Sequence, residues 1–172
     1  LYYNKQFADS LRVSEMWGKF QLLSSQPFIF SSFIASVCLD DDAEAIRIIE
    51  STMPAKRNVP LLMNNYACSL ARRDEVAAAA QVLRKVNFSV LSEREKFTFC
   101  ATQGLISFRT GDVEKGRELY SRAIWGFEQV NDLRSAAIAT YFWAIEEKRI
   151  GSPQATSRVK DAKSRIERFN VF

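Results

Sequence analysis

Few residues of this chain have the types or spacing that catalysis or metal binding needs. There is no histidine among the 172 residues, which removes the commonest general base and metal ligand. Cys38, Cys68 and Cys100 lie far apart, without the short spacings of a zinc or redox site. Each falls within a predicted helix, where a cysteine packs as a small hydrophobic residue. The chain is therefore expected not to be an enzyme and to hold no cofactor or metal.

Three further motifs suggest chemistry at first sight. The run Asp40-Asp41-Asp42 lacks the alternating ligands, central glycine and late glutamate of an EF-hand, so these acids are expected at a helix N-terminus. The spacing of Gly111 and Gly116 matches a phosphate loop, but the lysine and hydroxyl residue are missing and a helix precedes it. Glu146 and Glu147 are adjacent on a predicted helix and point in different directions, which favours a solvated face over an acid/base pair.

Composition favours one globular or solenoid domain without a long linker. The chain is 47% hydrophobic and 26% charged, carries a net charge of +4 and has ten glycine and proline residues in total. Because it begins at Leu1 with no charged segment before an apolar run, no signal peptide is predicted, and we expect a piece of a longer protein. The odd number of thiols favours a reducing compartment, so a cytoplasmic location is expected. The most apolar segment, from Pro27 to Leu39, is too short to span a membrane.

The stretch from Phe97 to Glu128 shows how the chain is organised. A first helix ends at Thr110-Gly111, and Asp112 then begins a second helix with apolar or small residues at steps of three and four. Gly104 and Gly116 lie twelve residues apart, one on each helix. Because glycine costs roughly 1 kcal/mol in a helix, their presence predicts a close helix crossing.

These residues resemble the tetratricopeptide repeat, which is a helix-turn-helix unit of about 34 residues. The resemblance rests on Gly104, Gly116, Tyr120 and Ala123, with Gly111-Asp112 at the turn. Cys100 stands where the family pattern has tryptophan. The resemblance implies an all-α superhelix, a solenoid of about nine helices in antiparallel pairs that holds another polypeptide.

The same register extends along the chain. The predicted units span residues 1–24 (partial), 26–54, 60–88, 97–128 and 132–169, and together they form a single domain. In the first unit, Tyr2-Tyr3 are expected to end one helix, and Phe7 to Leu22 to form the next. The small crossing residues of the second helices follow at intervals of 35, 34, 37 and 39 residues: Ser10, Ala45, Ala79, Gly116 and Ala155.

The family resemblance also implies a binding surface. The first helix of each pair lines the concave side, which here would present amides, exposed charges and apolar contacts: Asn64, Asn65, Arg72, Thr102, Leu105, Phe108, Arg109, Tyr141 and Lys148. Asn65 occupies the position of an asparagine that binds a terminal carboxylate in some members. The basic residues that accompany it there are replaced by Thr98 and Thr102, which favours a hydrogen bond within the array.

The resulting hypothesis is a scaffold that binds an acidic protein segment with hydrophobic anchors, with neither a membrane nor a cofactor involved. Self-association is compatible with the sequence. The alternative is an RNA-binding array of the pentatricopeptide type, which the net charge permits. Much of the basic excess lies after Glu146 rather than along the predicted groove, so nucleic acid is the less favoured partner.

Overall fold

The fold is built from helices alone wherever the chain is described. The computed structural model describes residues 2–21, 24–52, 58–169 and 171, and within these ranges it contains nine α-helices and no strand. The helices are α1 (Tyr2–Phe20), α2 (Gln26–Phe33), α3 (Asp42–Glu50), α4 (Pro60–Arg72), α5 (Val76–Arg84), α6 (Glu93–Arg109), α7 (Val113–Gln129), α8 (Leu133–Arg149) and α9 (Ala155–Phe169). The predicted all-α class is confirmed.

Two compact units divide the chain. The N-terminal unit contains residues 1–87, with helices α1 to α5, and the C-terminal unit contains residues 88–172, with helices α6 to α9. In the C-terminal unit, α6, α7 and α8 each have 17 residues and are joined by short turns. Such short connections make consecutive helices antiparallel neighbours.

One kind of turn recurs between the helices. Its central residue has a positive φ, and the next residue is the N-cap of the following helix; the central residues are Asp40, Asp74, Gly111 and Asn131. Gly151, after α8, also has a positive φ, but α9 begins only at Ala155. The amide of Asp112 donates to the carbonyl of Ser107 at 2.9 Å, and the amide of Asp132 donates to Phe127 at 2.8 Å. These bonds satisfy carbonyls that the helix end leaves unpaired. The two aspartates then cap α7 and α8 through their side chains.

Helix α1 differs from its prediction. It runs without a break from Tyr2 to Phe20, so Tyr2-Tyr3 do not end a separate helix. The residues that follow them include neither proline nor glycine, and nothing stops the helix there. Ser10 is exposed, whereas Ser14 is buried and lies 2.6 Å from the hydroxyl of Ser31 on α2. The predicted crossing residue of this first unit is therefore wrong by one helical turn.

The rest of the N-terminal unit follows its prediction closely. Helix α2 continues through a π-helical turn, Ile34–Cys38, before Asp41 caps α3. The acids at residues 40–42 thus lie at a helix N-terminus, as expected. Ala35, Ala45 and Ile48 form a buried apolar cluster. Helices α4 and α5, which are joined by a turn at Asp74, lie within the predicted unit 60–88.

Glycines permit close packing of α6 on α7. A Cβ atom added to Gly104 would lie 3.0 Å from the Tyr120 ring and 3.2 Å from the carbonyl oxygen of Gly116. A Cβ atom on Gly116 would lie 2.5 Å from the Phe108 ring. The predicted crossing is confirmed. Gly126, for which the sequence predicts no crossing, accommodates the ring of Phe97 in the same way.

Candidate functional site

Four residues of the predicted groove are core residues instead. Asn64 lies in the interior of the N-terminal unit, and Thr102, Leu105 and Phe108 lie in that of the C-terminal unit. Phe108 packs against Tyr120, with ring centroids 6.0 Å apart. The first helices present these side chains to neighbouring helices, so in this structure they offer no surface to a partner.

Asn65 and Arg72 join α4 to the α2 region. The Asn65 amide donates to the carbonyl of Ile29 at 3.1 Å and to the hydroxyl of Ser32 at 3.0 Å. Arg72 donates to the carbonyl of Ser36 at 2.9 Å and forms ion pairs with Asp40 and, at 3.1 Å, with Asp42. The expected bond of Asn65 within the array is present. The expectation that Arg72 is an exposed charge is wrong.

Arg109 is likewise withdrawn from solvent. Its guanidinium donates to both carboxylate oxygens of Glu146, at 2.7 and 2.8 Å, and the two side chains are 8% and 2% exposed. Glu147 is buried beside this pair and accepts two bonds from Arg117, at 2.8 and 2.9 Å. The two glutamates do point to different partners, on α6 and α7. The solvated face predicted for them is wrong, because arginines on both neighbouring helices neutralise them.

Two predicted residues remain accessible. Tyr141 is half-buried and packs edge-on against Phe142, with ring centroids 5.6 Å apart, and Lys148 is exposed near the end of α8. The structure does not bring the nine predicted residues together on one face of either unit. A role in partner binding stays a prediction for Tyr141 and Lys148.

A different feature of the C-terminal unit is a candidate binding site. A cleft of about 170 Å³ lies where α7, α8 and α9 meet. Helix α7 contributes Ser121, Ile124, Trp125 and Glu128; α8 contributes Thr140 and Trp143; and α9 contributes Arg158, Asp161 and Arg165. We call this feature the α7–α9 cleft. It combines two tryptophans, two arginines and two acids in a small volume.

The inner wall of the α7–α9 cleft is held rigidly. Trp143 is buried, stacks on Tyr120 with centroids 6.1 Å apart, and donates its indole N–H to Glu147 at 2.9 Å. The guanidinium carbon of Arg158 lies 3.5 Å from the centre of the Trp143 ring. An arginine over an indole face is attracted by the ring quadrupole. The buried Glu147 thus fixes the indole, and the indole fixes Arg158.

The two arginines of the cleft differ in charge balance. Arg165 donates to Glu128 at 2.6 Å and to Asp161 at 3.2 Å. Burial lowers the pKa of Arg165, but these two acids outweigh it and raise the pKa overall. Arg158 has no carboxylate partner among the residues that the structure describes. One positive charge of the cleft is therefore balanced, and the other is available.

Trp125 completes the site at its outer edge. Its side chain is 60% exposed, although neighbouring Ile124 is buried. The sequence contained a signal for it, because Trp125 lies off the small and apolar stripe of α7 that includes Ala123 and Phe127. No comparable signal marked Arg158, which reaches Trp143 from another helix.

Two of the three cysteines, Cys38 and Cys100, are poorly reactive in this structure. All three are free thiols. Burial raises the pKa of Cys38 to about 11, and it also raises the pKa of Cys100. Thiolates are the nucleophilic form, so both groups are poor nucleophiles at neutral pH.

Within the described ranges, no group of three or more acids or cysteines is arranged to hold a metal ion. No helix there has both the length and the apolar character to cross a bilayer. No protein-family model, curated protein or solved structure matches this chain.

Proposed function

We propose that this chain is a tetratricopeptide-like scaffold that binds an acidic segment of another protein, with the α7–α9 cleft as its contact site. The single observation that carries the proposal is the unpaired Arg158, stacked on Trp143 beside the exposed Trp125. The proposal includes a superhelical arrangement of the helix pairs and a cytoplasmic location.

The chemistry of Arg158 supports a carboxylate ligand. Its planar face is occupied by the Trp143 indole at 3.5 Å, which leaves the N–H groups at its edge as donors. A guanidinium matches a carboxylate with two parallel hydrogen bonds, and stacking on an aromatic ring reduces the entropy lost on binding. An aspartate or glutamate of the partner fits this position.

Trp125 supports an apolar anchor next to that carboxylate. Tryptophan and arginine are the residue types enriched where protein interfaces gain most of their affinity. The cleft has about 170 Å³, whereas pockets for cofactors or drug-sized ligands hold roughly 300–1,000 Å³. It therefore suits one or two side chains of a polypeptide better than a free cofactor.

Selection from a random peptide display library tests this proposal without knowledge of the natural partner. The wild-type chain should enrich peptides with an acid next to an aromatic or aliphatic residue. R158E should lose these peptides and enrich basic ones, because the variant reverses the available charge. W125A should weaken capture of the selected peptides while their acidic preference persists.

The matched control is K148E, which reverses an exposed cation elsewhere on the C-terminal unit. Unchanged selection with K148E and altered selection with R158E would support the cleft over the predicted groove. The opposite pattern would refute the cleft as the contact site. Salt-dependent binding of mixed-sequence RNA by the wild-type chain, without peptide enrichment, would favour the pentatricopeptide alternative.

A further inference from the structure

Helix α1 of the N-terminal unit carries an apolar stripe on its exposed face. Val13, Met16, Trp17 and Phe20 are 66%, 57%, 39% and 82% exposed. Their steps of three, one and three place them on one side of a helix over two turns. We call these four residues the α1 stripe. Contiguous exposed apolar residues of this kind mark interaction surfaces.

The opposite side of α1 is already covered. Gly18 is buried, and a Cβ added to it would lie 3.4 Å from the ring of Phe28. Ser14 contacts Ser31. Helix α1 therefore has two faces, one packed on α2 and the other available. A rotation that buried the α1 stripe would remove these contacts with α2.

Charge along the stripe indicates what covers it. Arg12 and Lys19 are seven residues apart, so they follow the same edge of the α1 stripe. Arg12 also pairs with Asp9 at 3.1 Å, but this pair is exposed, so solvent weakens it. An antiparallel second copy of α1 would bring the two basic edges together, and that repulsion disfavours an antiparallel pair of α1 helices.

We infer that the α1 stripe docks an amphipathic helix of a partner protein, whose apolar residues follow the same spacing and whose acidic residues face Arg12 and Lys19. Helix-in-groove recognition uses anchors at this spacing. The stripe spans seven residue steps, or about 10 Å at 1.5 Å per residue. Two turns of a partner helix suffice to cover it. This site lies in the other unit from the α7–α9 cleft and is independent of the proposed function.

Two designed helical peptides test the inference by fluorescence anisotropy with the full chain. Both carry leucines at steps of three and four, and they differ only in having glutamates or lysines along one edge. The glutamate peptide should bind about tenfold more tightly than the lysine peptide at low salt. R12E/K19E should reverse this preference, and V13S/F20S should abolish binding of both peptides.

The matched control is V90S/V130S, which removes two exposed apolar side chains of the C-terminal unit and should leave peptide binding unchanged. Equal binding of the two peptides, or binding that survives V13S/F20S, would overturn the inference. So would a dimer, seen by sedimentation, that V13S/F20S dissolves, since a second copy would then cover the stripe. Binding to anionic phospholipid vesicles that depends on Val13 and Phe20 would instead identify a membrane surface and likewise overturn it.

Discussion

Acid sensitivity of the C-terminal unit should depend on Glu147. This carboxylate is fully buried and accepts hydrogen bonds from Arg117 and from the indole of Trp143. Hydrogen bonding by Arg117 is the main reason that its pKa falls to about 2, from 4.5 in an unperturbed glutamate, although burial opposes the shift. Folding therefore favours the charged form of Glu147. Between pH 4.5 and about pH 2, the folded chain binds fewer protons at this carboxylate than the unfolded chain does.

The difference between the folded and unfolded pKa of Glu147 sets both the sign and the size of the pH effect on stability. A lowered folded-state pKa contributes stability that is complete above pH 4.5 and is lost as the pH falls towards 2. The difference of about 2.5 pKa units corresponds to about 3 kcal/mol, of which about 2 kcal/mol should be lost by pH 3. E147Q cannot ionise, so it lacks this pH dependence. It should also be less stable at pH 7, since it leaves Arg117 without its buried partner.

Urea unfolding, followed by Trp143 fluorescence in a W17F/W125F background, measures this prediction. The stability difference between the parent and E147Q should shrink by about 2 kcal/mol from pH 7 to pH 3. E114Q is the control, because Glu114 also pairs with Arg117 but its side chain is 83% exposed. Identical pH dependence of the parent and E147Q would refute the reasoning.

Two further predictions concern packing and the arginine network. G104L should destabilise the C-terminal unit by roughly 1–3 kcal/mol through overpacking, since even a Cβ would meet Tyr120 at 3.0 Å. The control is S121L, at an exposed position. Equal melting temperatures of the two variants would contradict the prediction. R109E should destabilise the same unit by roughly 3–5 kcal/mol because it places a second acid against buried Glu146. Chemical denaturation measures this loss of stability. A loss below about 1 kcal/mol, typical of an exposed charge, would contradict the prediction.

Local signals were sufficient to predict most helix ends. The predicted unit 132–169 begins at the N-cap of α8 and ends with α9, and α7 begins directly after Asp112 as expected. Stop and cap residues act within a few positions, so a single sequence contains the whole cause. The predicted start of α6, at Phe97, lies four residues too late, because the capping box of Ser92 and Glu95 begins the helix at Glu93.

Tertiary pairings were harder to predict. The family resemblance predicts a surface position for Phe108 and Leu105, because first helices line the concave side, but their own neighbours bury them. Ser10 was chosen by its interval from Ala45, yet the packed face of α1 passes through Ser14 and Gly18. The repeat interval gives an approximate position along a helix. Only the neighbouring helix determines which side is covered.

Paired arginines also change what net charge implies about function. In the C-terminal unit Arg109, Arg117 and Arg165 each lie against an acid of another helix. Those charges act as internal links, which a count of +4 does not reveal. RNA binding gains affinity from many accessible cations in a row. A single accessible guanidinium beside an exposed indole, as at Arg158, matches one carboxylate and one apolar side chain, which favours a protein segment over a phosphate backbone.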